Sequence, residues 1–96
     1  MIPLFDIISK MNSKQKKTLE NIYSDPVKKN IKWTDVEKLI IAMDGMIKQG
    51  NGSRIRILLN DISLNIHTPH PGNELKPYQV RAIRNLIDES GNNDET

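Results

Sequence analysis

A chain of 96 residues makes one domain, and one this short buries only about 60 to 65% of its unfolded surface, so its core is economical and a single site is expected. Cysteine is absent, which excludes disulfides and thiolate metal sites and fits a cytoplasmic setting, and no apolar run approaches the ~20 residues of a membrane span. The net charge of +2 is uneven: all 14 Lys and Arg lie from Lys10 to Arg84 against seven acids in residues 10–87, while four acids and no base follow from Asp88. A positive body suits a polyanionic partner, although a solvated surface gives the same count.

In chain order, residues 1–12 read as a flexible extension without an assigned function, because their short apolar patch with Pro3 fits poorly with the basic, polar run that follows; without a basic start and a small-residue cleavage site, a secretory signal is not expected. Residues 13–91 form the folded domain, and 92–96 an acidic disordered tail. The first helix is expected over 13–24, with Gln15, Leu19, Ile22 and Tyr23 on one side and Lys14, Lys16 and Lys17 outward, ending at Asp25 and Pro26. After a basic connector, Thr34 and Glu37 have the spacing of a capping box for a second helix over 34–44. Val36, Leu39, Ile40 and Met43 form its apolar stripe, and Gly45 suits a left-handed cap.

Strands are expected at 46–49, 53–60 and 62–68, the last two from alternation of polar and apolar residues and joined by a tight turn at Asn60 and Asp61. That register sets Leu59 against Ile62, Ile57 against Leu64 and Ile55 against Ile66 on one face. On the other face Leu58 meets Ser63, Arg56 meets Asn65 and Arg54 meets His67, and partners lie about 4.5 to 5.5 Å apart at Cβ. Two arginines, an asparagine and a histidine thus cluster on the open face as a candidate anion site. Gly52 either makes the preceding turn or lets a ligand approach the backbone. Pro69 and Pro71 keep His70 on a loop, and the last helix spans 77–90, with Val80, Ile83 and Ile87 inward, Arg81 and Arg84 outward, and Gly91 as cap. The fold class is α+β: a three-stranded antiparallel sheet with helices packed on one face.

The acids are spread along helices and tail rather than paired for carboxylate chemistry, and His67 and His70 lack a ligand set unless Glu74 completes one. Neither a phosphate-binding loop motif nor a dinucleotide fingerprint is present, so no cofactor and no metal are expected. Two histidines beside two arginines suit RNA cleavage, in which the 2′-hydroxyl attacks its own phosphodiester. Imidazoles supply base and acid, and guanidiniums face the phosphorane charge. The plain alternative is that His67 is a half-exposed strand residue and His70 part of a turn.

Trp33, Thr34, Asp35 and Val36, the helix end at Gly45, Gly50 with Gly52, Ser53 and Arg54, His67 with Pro69, His70 and Pro71, and the closing helix to Gly91 together resemble the HicA toxins of bacterial toxin–antitoxin systems. The run from Met11 to Leu19 also resembles the amino terminus of one branch of that family, so the likeness covers roughly four-fifths of the chain. It implies a fold like a double-stranded-RNA-binding domain, endoribonuclease activity on mRNA, and neutralisation by a HicB-type antitoxin, with DNA contacted only indirectly through that complex. Many members carry histidine after the Gly-Ser pair as the catalytic residue, whereas this chain has Arg54, whose guanidinium does not deprotonate near neutral pH. The expected catalytic residues are therefore His67 and His70, with Gly52, Ser53, Arg54, Arg56 and Asn65 binding substrate. A binding module for RNA or antitoxin, with little or no cleavage, is the alternative that Arg54 leaves open.

Overall fold

A computed structural model describes residues 11–69 and 72–92. Helices α1 (Ser13–Ile22) and α2 (Trp33–Ala42) come first, followed by strands β1 (Met46–Gln49), β2 (Arg54–Leu59) and β3 (Ile62–His67) and helix α3 (Pro77–Asn92). The strands form one antiparallel sheet in the order β1-β2-β3. Alternation along β2 turns Ile55, Ile57 and Leu59 toward the helices, where they are buried with Ile66 of β3, Val36, Leu39 and Ile40 of α2, and Val80, Ile83 and Ile87 of α3. Leu64 and Ile62 are half-buried at the margin of this core. The α+β architecture and the pairing across the central hairpin agree with the sequence expectation, Arg54 standing opposite His67, Arg56 opposite Asn65 and Leu58 opposite Ser63. Asn60 and Asp61 carry φ values of 49° and 66°, the positive pair that a two-residue hairpin turn requires.

Met11 is buried in the core, and Asn12 caps α1: its side chain accepts from the Gln15 amide at 2.8 Å, and the Gln15 side chain accepts from the Asn12 amide at 3.0 Å. Residues 1–10, 70, 71 and 93–96, which include His70 and most of the expected tail, lie outside the described residues. Helix α1 ends at Ile22, two residues short of expectation, with Tyr23 as its cap.

The capping box at Thr34 does not form. The Trp33 amide donates to the Asn73 carbonyl at 2.7 Å and the Leu75 amide to the Ile31 carbonyl at 2.8 Å, so a short ladder outside the sheet fixes the chain before α2. The helix consequently starts at Trp33 with Lys32 at the cap position, and the Thr34 hydroxyl accepts from Asn73 Nδ2 at 3.0 Å. At the other end Asp44, not Gly45, takes the left-handed conformation, with φ of 65°. The Gly45 amide donates to the Ile40 carbonyl at 2.9 Å and the Asp44 amide to Ile41 at 3.0 Å, the paired bonds of a Schellman cap. Glycine serves at position 45 for space: a Cβ there would lie 2.6 Å from Ile40 Cγ2 and 2.9 Å from the carbonyl oxygens of Ile40 and Leu58.

Arg84 faces α1 rather than solvent. Its Nη2 donates to the Ile22 carbonyl at 2.7 Å and the Ser24 carbonyl at 3.1 Å, and its Nε to Ile22 at 3.1 Å. These bonds satisfy carbonyls that the end of α1 leaves without helical partners. The guanidinium also lies 5.6 Å from the centroid of the Tyr23 ring, and the Tyr23 hydroxyl donates to Asp88 Oδ1 at 2.6 Å. Partial burial first, and then the Asp88 hydrogen bond, push the Tyr23 hydroxyl well above the usual phenol range. Helix α3 continues through Gly91 to Asn92, so Gly91 is not its terminal cap. Among the described residues no helix is long and apolar enough to cross a membrane.

Candidate nucleic-acid interface

With the three helices of the described residues on one side, the other face of the sheet carries Met46, Lys48, Arg54, Arg56, Leu58, Ser63, Asn65 and His67. Lys48, Arg54, Arg56, Asn65 and His67 are all exposed. They form two rows. Lys48, Arg56 and Asn65 lie side by side across the three strands, and Arg56 Nε donates to Asn65 Oδ1 at 3.1 Å, so the guanidinium is steadied while its remaining donors face outward. Arg54 and His67 form the second row.

Hydrogen bonding across the hairpin decides how close that second row is. The Thr68 amide donates to the Ser53 carbonyl at 2.8 Å, making Ser53 and Thr68 a hydrogen-bonded pair. The pattern alternates, so Arg54 and His67 are a non-hydrogen-bonded pair, the kind whose Cα atoms approach to about 4.5 Å and whose side chains stand closer. Arg54 directs its backbone groups away from β3, accepting from the Gly50 amide at 2.8 Å and donating to the Asn51 carbonyl at 3.2 Å. The backbone groups of His67 turn to the opposite, outer edge of the sheet, where Gln79 Nε2 donates to the His67 carbonyl at 2.8 Å.

Side chains and turn together bound an open depression of about 620 Å³, lined by Lys48, Arg54, Arg56, Asn65 and His67 and by the chain from Gln49 to Asn51. Its chemistry is that of an anion site: two guanidiniums, a lysine, an amide and an imidazole on one sheet face, without a carboxylate among the lining residues. Gly52 and Ser53 lie on the β1–β2 turn outside this lining. Gly52 has φ of 63° and open space around a Cβ built there, so it serves the turn, while the Ser53 carbonyl holds the start of the segment after β3 through Thr68. Of the residues expected to form the site, Arg54, Arg56, Asn65 and His67 are brought together, and His70 lies outside the described residues. Sequence reasoning missed Lys48. Its signal was the alternation running back from Arg54 through a three-residue turn, which pairs Lys48 with Arg56.

Comparison with known proteins agrees with this architecture. No curated protein and no solved structure matches the chain. A family model described as "HicA toxin of bacterial toxin-antitoxin" matches residues 33–91, from the start of α2 through the sheet and into the last turn of α3. That span holds the whole basic face and more than half of the chain, and a three-stranded antiparallel sheet backed by helices is the double-stranded-RNA-binding-like arrangement of that family; the chain belongs to the HicA toxins of bacterial toxin–antitoxin systems.

Proposed function

We propose that this toxin is an endoribonuclease that cleaves mRNA in the cytoplasm without a metal ion and is held inactive by a HicB-type antitoxin. The observation that carries the reading is the pairing of His67 with Arg54 on an exposed sheet face, beside the row of Lys48, Arg56 and Asn65. Lys48 and Arg56 anchor backbone phosphates, and Arg54 faces the scissile one. The proton on the 2′-hydroxyl passes to an imidazole, a bond forms between the 2′-oxygen and phosphorus, and the bond to the 5′-oxygen breaks as an imidazolium returns a proton to it. The products carry a 2′,3′-cyclic phosphate and a 5′-hydroxyl, so electrons and protons balance without a co-reactant. His67 takes the base role and His70 the acid role. Gly52 and Ser53 act on substrate through the turn that carries Arg54.

Charge supports the partner. A basic face is most readily covered by an acidic one, with association steered at low salt, and the proposed antitoxin closes the sheet around Arg54, Arg56 and His67. DNA is reached only through the antitoxin complex.

Arg54 favours a second reading, because the guanidinium cannot serve as the base that the family's histidine provides. In that case the face grips RNA and antitoxin but cleaves little. Purified toxin incubated with RNA in EDTA separates the two: cleavage that is lost in the His67→Ala, His70→Ala double variant supports the first, whereas binding without cleavage, with activity gained on Arg54→His, supports the second.

A further inference from the structure

We infer that Gln79 is a positioning residue for His67: it fixes the end of β3 so that the imidazole is held over the scissile phosphate. The inference rests on the ribonuclease reading above. It starts from a buried polar side chain. Gln79 is only 3% exposed, in the first turn of α3, yet its amide contributes nothing to the apolar core. Both ends of that amide are engaged. Oε1 accepts from the Lys76 amide at 3.0 Å, closing the start of the helix, and Nε2 donates to the His67 carbonyl at 2.8 Å.

The second bond is the informative one. His67 is the last residue of β3, and its carbonyl points to the outer edge of the sheet, where among the described residues no further strand accepts or supplies a ladder bond. An edge carbonyl at a strand end is free to swing, and its side chain swings with it. Gln79 removes that freedom by tying the carbonyl to the N-terminus of a sixteen-residue helix whose other inward residues, Val80 and Ile83, are locked in the core. On the inner edge the next residue, Thr68, is tied to Ser53 through both its amide and its hydroxyl, at 2.8 and 3.3 Å. The backbone at His67 and Thr68 is therefore tied on both edges of β3, and the exposed His67 side chain stays on the face that it shares with Arg54. A side chain that holds a catalytic group at one remove affects rate more than affinity, because a misplacement of about 1 Å can cost about 10²-fold in rate.

Gln79→Met keeps the volume and removes both hydrogen bonds. Gln79→Glu keeps the acceptor for Lys76 and loses only the donor to His67 while the carboxyl is ionised. Protonation returns an O–H donor to the same place. The titratable groups around this contact are His67 itself, Arg54 opposite it on β2, and Lys76, whose backbone amide Gln79 receives. Parent and variants are assayed on a single-stranded RNA oligonucleotide in EDTA, below their melting temperatures, with the folded fraction checked by circular dichroism. In Gln79→Met, kcat is expected to fall by about 10- to 10²-fold with KM unchanged. In Gln79→Glu the ratio of its kcat to the parent's is expected to rise as pH falls while the folded fraction of both proteins stays constant, which separates repositioning from the gain in stability that protonating a buried carboxyl also brings. A folded Gln79→Met with parental kcat, or a Gln79→Glu ratio that stays flat with pH, overturns the positioning role. A parent that leaves the RNA intact overturns the ribonuclease reading instead, so the two failures are distinct.

Discussion

Arg84→Met removes the charged fork that joins α3 to the end of α1 while retaining much of the aliphatic stem. Three bonds are lost, two to the Ile22 carbonyl and one to that of Ser24, together with the contact over the Tyr23 ring. Hydrogen bonds to a charged group contribute about 1.5 to 3 kcal/mol net. Because the three share one guanidinium and α1 keeps its apolar contacts through fully buried Ile22, a total near 2 kcal/mol is the appropriate figure rather than a sum over bonds. For a domain of this size about 1 kcal/mol moves the melting temperature by roughly 4 to 8 °C, so a fall of roughly 8 to 16 °C is expected. Arg81→Met, on the exposed face of the same helix, serves as the control and is expected to change stability by about 0.5 kcal/mol or less. Arg84→Lys is expected to fall between parent and Arg84→Met, since one ammonium cannot reproduce the planar fork. The assay is thermal unfolding by circular dichroism at neutral pH. An Arg84→Met protein melting within about 3 °C of the parent would refute the view that this arginine fastens α1 to the domain.

Other expected outcomes concern turns, pH and the basic face. Gly45→Ala forces a Cβ against two carbonyl oxygens and is expected to cost about 1 to 3 kcal/mol in urea titrations, whereas Gly52→Asn, which tolerates the left-handed conformation in open space, is expected to leave the midpoint nearly unchanged. The stability contributed by the raised Tyr23 hydroxyl is present below the ordinary phenol value near pH 10 and is lost as pH rises above it; melting curves from pH 8 to 11 are expected to show a shallower alkaline decline in Tyr23→Phe than in the parent. Arg56→Met and Lys48→Met are each expected to weaken RNA binding and to reduce the slope of log affinity against log salt by about 0.7 for a single strand, measured by fluorescence anisotropy.

The hairpin was legible because two signals coincide there. Alternation along the two strands between Ser53 and Thr68 and an Asn60–Asp61 pair suited to positive φ leave one register, and that register alone places Arg54 beside His67. What escaped the sequence depends on contacts between distant segments. Thr34 has the spacing of a cap, but the ladder between residues 31–33 and 73–75 starts the helix before it. Arg84 reads as outward by its charge, although it follows Val80 by four residues and so borders the inward stripe, and the end of α1 arrives over that face with carbonyls to satisfy. Gln79 sits on the inward side of α3 as a polar residue, and nothing local reveals that the edge of β3 lies within reach of its amide. Periodicity tells which side of an element is covered; it does not tell what covers it.

The most direct test of the proposed chemistry is cleavage of a defined RNA by purified toxin in EDTA, parent against His67→Ala, with the ends identified and RNA affinity measured in parallel. The expected result is 2′,3′-cyclic phosphate and 5′-hydroxyl ends from the parent, and a rate lower by about 10² to 10⁴-fold in His67→Ala with affinity largely retained. A parent that binds RNA but leaves it whole, or a His67→Ala protein that cleaves at the parental rate, would contradict the assignment of His67 as a catalytic residue.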